Sequence, residues 1–241
     1  MERFYSFPPK SKHFHQYTSD ADIKCHPAYQ AAKAGDAAAA YKLVMDLAAD
    51  FIQSLKGEFS DKVVFISPYA KEATGDNAIP LLLSVLCAEK LDGKVEMDVV
   101  QLQRVFHTGA DPMERLLSRP SFEGKVDRQA HYVLVDDVTS MGGTLAELAN
   151  YILLNGGQVA GSIVLVNAGR SKDFQPVKKH IKLLEERFND EIRQTFGIHT
   201  RALTANEASY LVGFRTADEI RNRCIKAEKE RNLRLLSKGY G

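Results

Sequence analysis

Apolar residues fall in two patterns along this chain. Short unbroken runs, Val63-Val64-Phe65-Ile66 and Tyr132-Val133-Leu134-Val135, read as strands buried on both faces, as in a parallel sheet. Val95–Val100 and Val159–Val166 read as two further strands. Between the strands the spacing turns helical. Pro27 suits the first turn of a helix that reaches about Leu55, with Leu43, Leu47, Phe51 and Leu55 on one face. Leu81–Leu91 and Thr144–Asn155 read as helices, the latter closed by Gly156-Gly157. Strand–helix alternation of this kind predicts an α/β fold, a parallel sheet flanked by helices. Residues 1–26, rich in aromatic residues and His, read as an irregular arm on the body. Residues 103–126 are polar and show no clear period; loops of that length are usually functional. Beyond Arg170 the pattern is helical, at about 176–194, 205–213 and 216–237, with Thr204 and Glu207 in capping-box spacing. Three parts are expected: an arm and helix over 1–59, an α/β core over 60–170 and a helical extension over 171–241.

Composition narrows the class. The chain has 241 residues, 44% hydrophobic and 26% charged, enough for a full core. Its net charge of +1 gives no global field for nucleic acid. The charge is unevenly spread: residues 171–241 hold 15 Lys and Arg against 10 Asp and Glu. Glu219, Glu228 and Glu230 are interspersed among Arg215, Arg221, Arg223, Lys226, Lys229, Arg231 and Arg234. That mixture predicts a solvated, salt-bridged face, with Glu230 and Arg234 as an i,i+4 pair, rather than a nucleic-acid surface. No apolar run approaches the roughly 20 residues of a membrane span, and the first residues lack the apolar centre of a secretory signal. Cys25, Cys87 and Cys224 are far apart and form no CxxC or CxxH spacing, so reduced thiols, a cytoplasmic setting and no structural zinc are expected.

The chemistry concentrates in one segment. The Tyr132–Val135 strand delivers Asp136 and Asp137 to its C-terminal edge, where open parallel sheets bind ligands. Thr139-Ser140-Met141-Gly142-Gly143-Thr144 follows and opens a helix. A helix N-terminus favours an anion, the glycines let the backbone approach a phosphate, and Thr139, Ser140 and Thr144 add hydroxyls. The carboxylates repel phosphate and suit sugar hydroxyls or a magnesium shell. Phosphate on one side and hydroxyls on the other describe a ribose 5-phosphate.

This segment resembles the signature of type I phosphoribosyltransferases that binds phosphoribosyl pyrophosphate (PRPP). Met141 departs from it, standing where a threonine is usual. The resemblance implies a type I phosphoribosyltransferase-like core over about residues 60–170. It implies a Mg²⁺-dependent transfer of phosphoribosyl from PRPP to a small nitrogenous base, with release of pyrophosphate, as in nucleotide salvage. A cytoplasmic homodimer is the implied assembly. Thr139 to Thr144, Met141 and the two glycines included, would hold the 5-phosphate. Asp136 and Asp137 would hold the ribose hydroxyls and meet the Mg²⁺ through water, if at all. VVFISPYAKEATGDNAIP resembles the family's pyrophosphate loop, lengthened by EATGDN, with Pro68, Tyr69, Ala70 and Lys71 as the contacts. Residues 103–126 fall where the family keeps a flexible catalytic loop and look most like competence-factor-F-like members. Arg104 and Arg115 would bring cations to pyrophosphate, His107 is a weaker acid–base candidate, and Asn167 and Arg170 are candidates for the base pocket. The flanks would form the hood over the base. A non-catalytic PRPP- or nucleotide-binding regulator on the same fold is the alternative.

Overall fold

The computed structural model describes residues 1–59, 62–68, 77–102 and 109–237. At its centre is a five-stranded parallel sheet of β1 (Lys12–Tyr17), β2 (Val63–Ile66), β3 (Lys94–Val95), β6 (His131–Thr139) and β7 (Gln158–Asn167). Their order across the sheet is β1-β7-β6-β2-β3. The expected class, a parallel sheet flanked by helices with helices following at the C-terminal side, is present.

The unbroken apolar runs arise because the sheet is covered twice. Successive side chains alternate between faces. Val133 and Val135 point with Val63, Phe65, Ile163 and Leu165 into a cluster formed with α1 (Ala21–Lys24), α2 (Tyr29–Lys33), α3 (Ala37–Ser54) and α4 (Ile79–Lys90). Tyr132 and Leu134 point the other way, against α6 (Gly143–Leu154). A third cluster joins α5 (Pro112–Leu117), α7 (Lys178–Phe196), α8 (Ala205–Val212) and α9 (Ala217–Ser237). Thr204 and Glu207 form the expected capping box at the start of α8.

Several local expectations change. The arm is not irregular throughout: Lys12–Tyr17 is the edge strand β1, parallel to β7. Residues ahead of it are pinned, since Asn150 Oδ1 accepts the N–H groups of Phe4 and Tyr5. The long helix expected from Pro27 breaks at Gly35, whose φ of +98° reverses the chain. Asp36 then caps α3 by accepting from Ala39 N–H. The strand expected over 95–100 divides: β3 stays in the main sheet, while β4 (Val100–Gln101) turns to pair antiparallel with β5 (Phe122–Glu123). The stretch 109–126 contains α5 and is clamped to α9 by Arg223–Asp111 at 2.7 Å and Arg234–Glu114. Those pairs replace the expected Glu230–Arg234 pair; Glu230 meets Arg223 and Lys226 instead. The basic helix is salt-bridged, as its mixed charges suggest. Cys25 is exposed, Cys87 and Cys224 are buried, and all three thiols are free. Among the described residues no helix is long and apolar enough to cross a membrane.

Candidate functional site

β6 is the sheet's central strand, and its last residues bring Asp136 and Asp137 to the C-terminal edge beside β2 and β7. Asp136 Oδ1 accepts the N–H of Asp137, and Asp137 Oδ1 accepts the N–H of Val138, both at 2.9 Å. Asp137 Oδ2 takes the Lys33 ammonium at 2.6 Å and the Asn77 side-chain amide at 2.9 Å. Burial and the adjacent Asp137 carboxylate push the Asp136 pKa well above its usual range, and Lys33 opposes the rise. Burial works against the Lys33 charge, but attraction to Asp137 outweighs it and holds the ammonium pKa above its ordinary value.

Next along the chain, three successive carbonyls are tied back into the protein. Thr139 O accepts Ala168 N–H at 2.8 Å, Ser140 O accepts Asn206 Nδ2 at 3.0 Å, and Met141 O accepts Thr204 Oγ1 at 2.5 Å. In a trans peptide the following N–H points opposite to the carbonyl. The N–H groups of Ser140, Met141 and Gly142 are therefore turned away from these partners, and they make no hydrogen bond among the described residues. Unpaired N–H groups of this kind, just ahead of α6, are what an anion cradle would use. A cavity of only about 10 Å³ lies at this turn, lined by Ser140, Met141, Gly142, Asn167, Asp173 and Phe174 among others, the size of one water at most. Ser140 Oγ is buried with no partner among the described residues.

Gly142 makes the turn possible. Its φ is +79°, and a methyl group there would stand 2.7 Å from the Phe174 ring. Gly142→Ala is expected to cost about 2–4 kcal/mol, from left-handed strain plus overpacking; urea denaturation checks it. The unusual Met141 has a structural explanation. Its side chain packs on the third apolar cluster, so this residue offers the cradle its N–H and not a hydroxyl. Gly143 abuts the buried Glu207 carboxylate, whose charge Arg3 meets at 2.9 Å. The start of α6 is thereby kept free of an uncompensated negative charge.

Asp136, Asp137 and the Thr139–Thr144 turn are thus brought together. Pro68, at the end of the segment leaving β2, is described; Tyr69, Ala70, Lys71, Arg104 and His107 lie outside the described residues. Arg115 sits on α5, half-buried, with its Nε donating to Ala110 O at 3.0 Å. Its neighbours Met113 and Leu116 anchor that helix in the third cluster. Asn167 is spent on its own turn, accepting Gly169 N–H and donating to Lys172 O. Arg170 is exposed. Sequence reading misses Lys33 and Asn77. Lys33 ends a short helix as an ordinary surface lysine would, and only the tertiary fold sets it against a residue 104 positions later. Asn77 carries a faint signal in its place just ahead of Pro80 and α4.

Among the described residues no group of three or more His, Cys, Asp or Glu is arranged to hold a metal ion. Asp137 has both oxygens engaged. Asp136 Oδ2 makes no hydrogen bond among the described residues. Among the described residues Asp136 is the carboxylate with an oxygen left to touch a divalent ion that a ligand would carry in.

No family model matches the chain. It is 37% identical over 212 residues to Protein TraN of Escherichia coli, covering 85% of this chain and 47% of that protein. An uncharacterized protein of Haemophilus influenzae is 37% identical over 134 residues, covering 55% of this chain and 30% of that protein. The chain thus spans less than half the length of these two curated relatives. Among solved structures, the AQ2163 protein of Aquifex aeolicus matches with a TM-score of 0.37 and 13% identity, over 65% of this chain and 86% of that one. Adenine phosphoribosyltransferase of Trypanosoma brucei matches with a TM-score of 0.34 and 13% identity, over 64% and 74%. The Leishmania donovani enzyme of that name matches at 0.36 and 14%, over 83% and 88%.

Proposed function

We propose that this site binds PRPP and transfers its phosphoribosyl group to a nitrogenous base. The observation that carries the reading is the adjacency of two unlike recognition elements on one strand end. A carboxylate pair that suits hydroxyls lies directly before a cradle of three outward N–H groups that suits phosphate. A ribose 5-phosphate presents both partners on one small molecule. The 5-phosphate takes the N–H groups of Ser140, Met141 and Gly142 and the start of α6, with the Ser140 hydroxyl nearby. Asp136 and Asp137 accept from the 2- and 3-hydroxyls and place negative charge beneath C1, where positive charge develops. The nitrogen lone pair of the base forms the new bond to C1. The C1–O bond breaks with its electron pair leaving on pyrophosphate, and the proton of the attacking nitrogen passes to solvent. Mg²⁺, when carried in on the diphosphate, supplies charge neutralisation of the leaving group. The chain itself contributes position and electrostatics.

A second reading is a PRPP-binding regulator. The turned-away Met141 side chain favours it, since the cradle loses one hydroxyl. One experiment separates the two: pyrophosphate release from PRPP and Mg²⁺ across a panel of purine and pyrimidine bases, with calorimetric PRPP binding alongside. Release with a base, absent in the Asp136→Asn/Asp137→Asn protein, supports transfer. Binding without release supports the regulator. Neither binding nor release overturns both.

A further inference from the structure

We propose that Lys33 is a cation that receives the leaving diphosphate, resting on Asp137 until the substrate arrives. The inference depends on the phosphoribosyl-transfer reading above and adds a residue to it. Lys33 Nζ lies 2.6 Å from Asp137 Oδ2, and its side chain keeps 29% of its surface exposed beside the buried carboxylate. Its base is fixed. Tyr29 and Ala32 of α2 are buried in the α1–α4 cluster. The Ala32 carbonyl accepts the N–H of Ala78 at 3.1 Å. Ala78 follows Asn77, which donates to the same carboxylate oxygen as Lys33. Helix α2 and the segment entering α4 therefore form one unit on the β2 side of the acid pair.

The anion cradle lies on the other side, backed by the loop that leaves β7, since Ala168 N–H bonds to Thr139 O. A ribose with its phosphate in that cradle and its hydroxyls on the acids directs C1 away from β7. C1 then faces β2, α2 and Lys33. Among the described residues no other Lys, Arg or His pairs with either carboxylate. Ligand hydroxyls that take Asp137 release the ammonium. Its three donors on a flexible four-carbon stem can then turn to a diphosphate oxygen without movement of α2. In the free protein the same contact keeps one buried carboxylate neutralised.

The test is calorimetric titration of the full chain with PRPP, ribose 5-phosphate and inorganic pyrophosphate, each with Mg²⁺. Wild-type, Lys33→Met and Lys33→Arg proteins are compared, with melting curves to establish that each is folded. Lys33→Met is expected to weaken PRPP and pyrophosphate at least about tenfold, the loss of one charge-assisted contact, and to bind ribose 5-phosphate within about twofold of wild type or more tightly. Lys33→Arg, which keeps the charge, is expected to recover most of the loss. Equal weakening of all three ligands would show that Lys33 only holds Asp137 in place, and overturns the proposal. Unchanged PRPP binding overturns it too. A wild-type protein that binds none of the three removes the transfer reading itself, an outcome distinct from either.

Discussion

Asp137→Asn protein is expected to release pyrophosphate from PRPP at least about 100-fold more slowly than wild type, the scale of removing one pre-organised electrostatic contact at a reacting centre. The substitution keeps the shape of the side chain. Its Oδ1 can still accept the Val138 N–H that now bonds at 2.9 Å. What disappears is the carboxylate charge that the transfer reading places beneath C1. Two local electrostatic changes partly offset one another: Lys33 loses its carboxylate, and Asp136 loses the neighbour that repels its own charge. Stability is therefore expected to change by only about 1 kcal/mol, within the ordinary range for a point substitution. The pH dependence has a definite sign. A half-buried Asp136 whose folded pKa lies above its ordinary 3.8 binds its proton more tightly when folded. Its contribution to stability falls as pH rises from near 4 through the raised folded value. Asp137→Asn removes one cause of the rise, so that loss is expected to be smaller in the variant. Stopped assays of pyrophosphate release, with urea melts at several pH values, check both parts. Wild-type rates in the variant would sink the transfer reading.

Arg3→Met is expected to have the largest effect on stability, about 3–5 kcal/mol. Arg3 is fully buried; its guanidinium reaches both oxygens of Glu207, at 2.9 and 3.0 Å, and Glu147 at 3.1 Å. Burial disfavours its charge, but the two carboxylates more than restore it, and its pKa stands above the usual arginine range. Removing it leaves Glu147 with Arg119 at 2.5 Å and leaves Glu207 with no guanidinium. Glu207 also completes the capping box of α8 and abuts Gly143, so the uncompensated charge falls against the start of α6. For a chain of this length the loss corresponds to a fall in melting temperature of about 10 °C. Arg3→Met/Glu207→Gln, which removes both charges, is expected to regain about half of the loss, because the main penalty is the unpaired buried carboxylate. Calorimetric melts of the two variants decide it; equal destabilisation would assign Arg3 a packing role instead.

The parts readable from sequence are those governed by local rules. Tyr132–Val135 declares a doubly covered strand by its unbroken apolar run, and the Asp136-Asp137 pair with the following glycines declares the turn. Thr204 and Glu207 announce a helix start because a capping box is complete within four residues. Parts set by distant partners are not readable. Lys12–Tyr17, with its Lys, His and Gln, lacks the apolar run of the inner strands because it is an edge. Arg234 has a suitable partner one turn away in Glu230, yet Glu114, on another helix, takes it. Lys33 and Asn77 look unremarkable until folding places both on one carboxylate oxygen.

The place of β1 also bears on how the protein is made. Its first pair, Lys12 with Gly161, joins residues 149 apart, and the edge strand can find its neighbour only after β7 has left the ribosome. At typical synthesis rates the wait is roughly 7–30 s. Arg3 waits longer, because Glu207 lies 204 residues downstream. Until β7 and Glu207 have been made, the first twenty residues are therefore an aromatic-rich segment without these partners. Their docking adds the edge strand and completes the buried charge network only after these distant partners have formed.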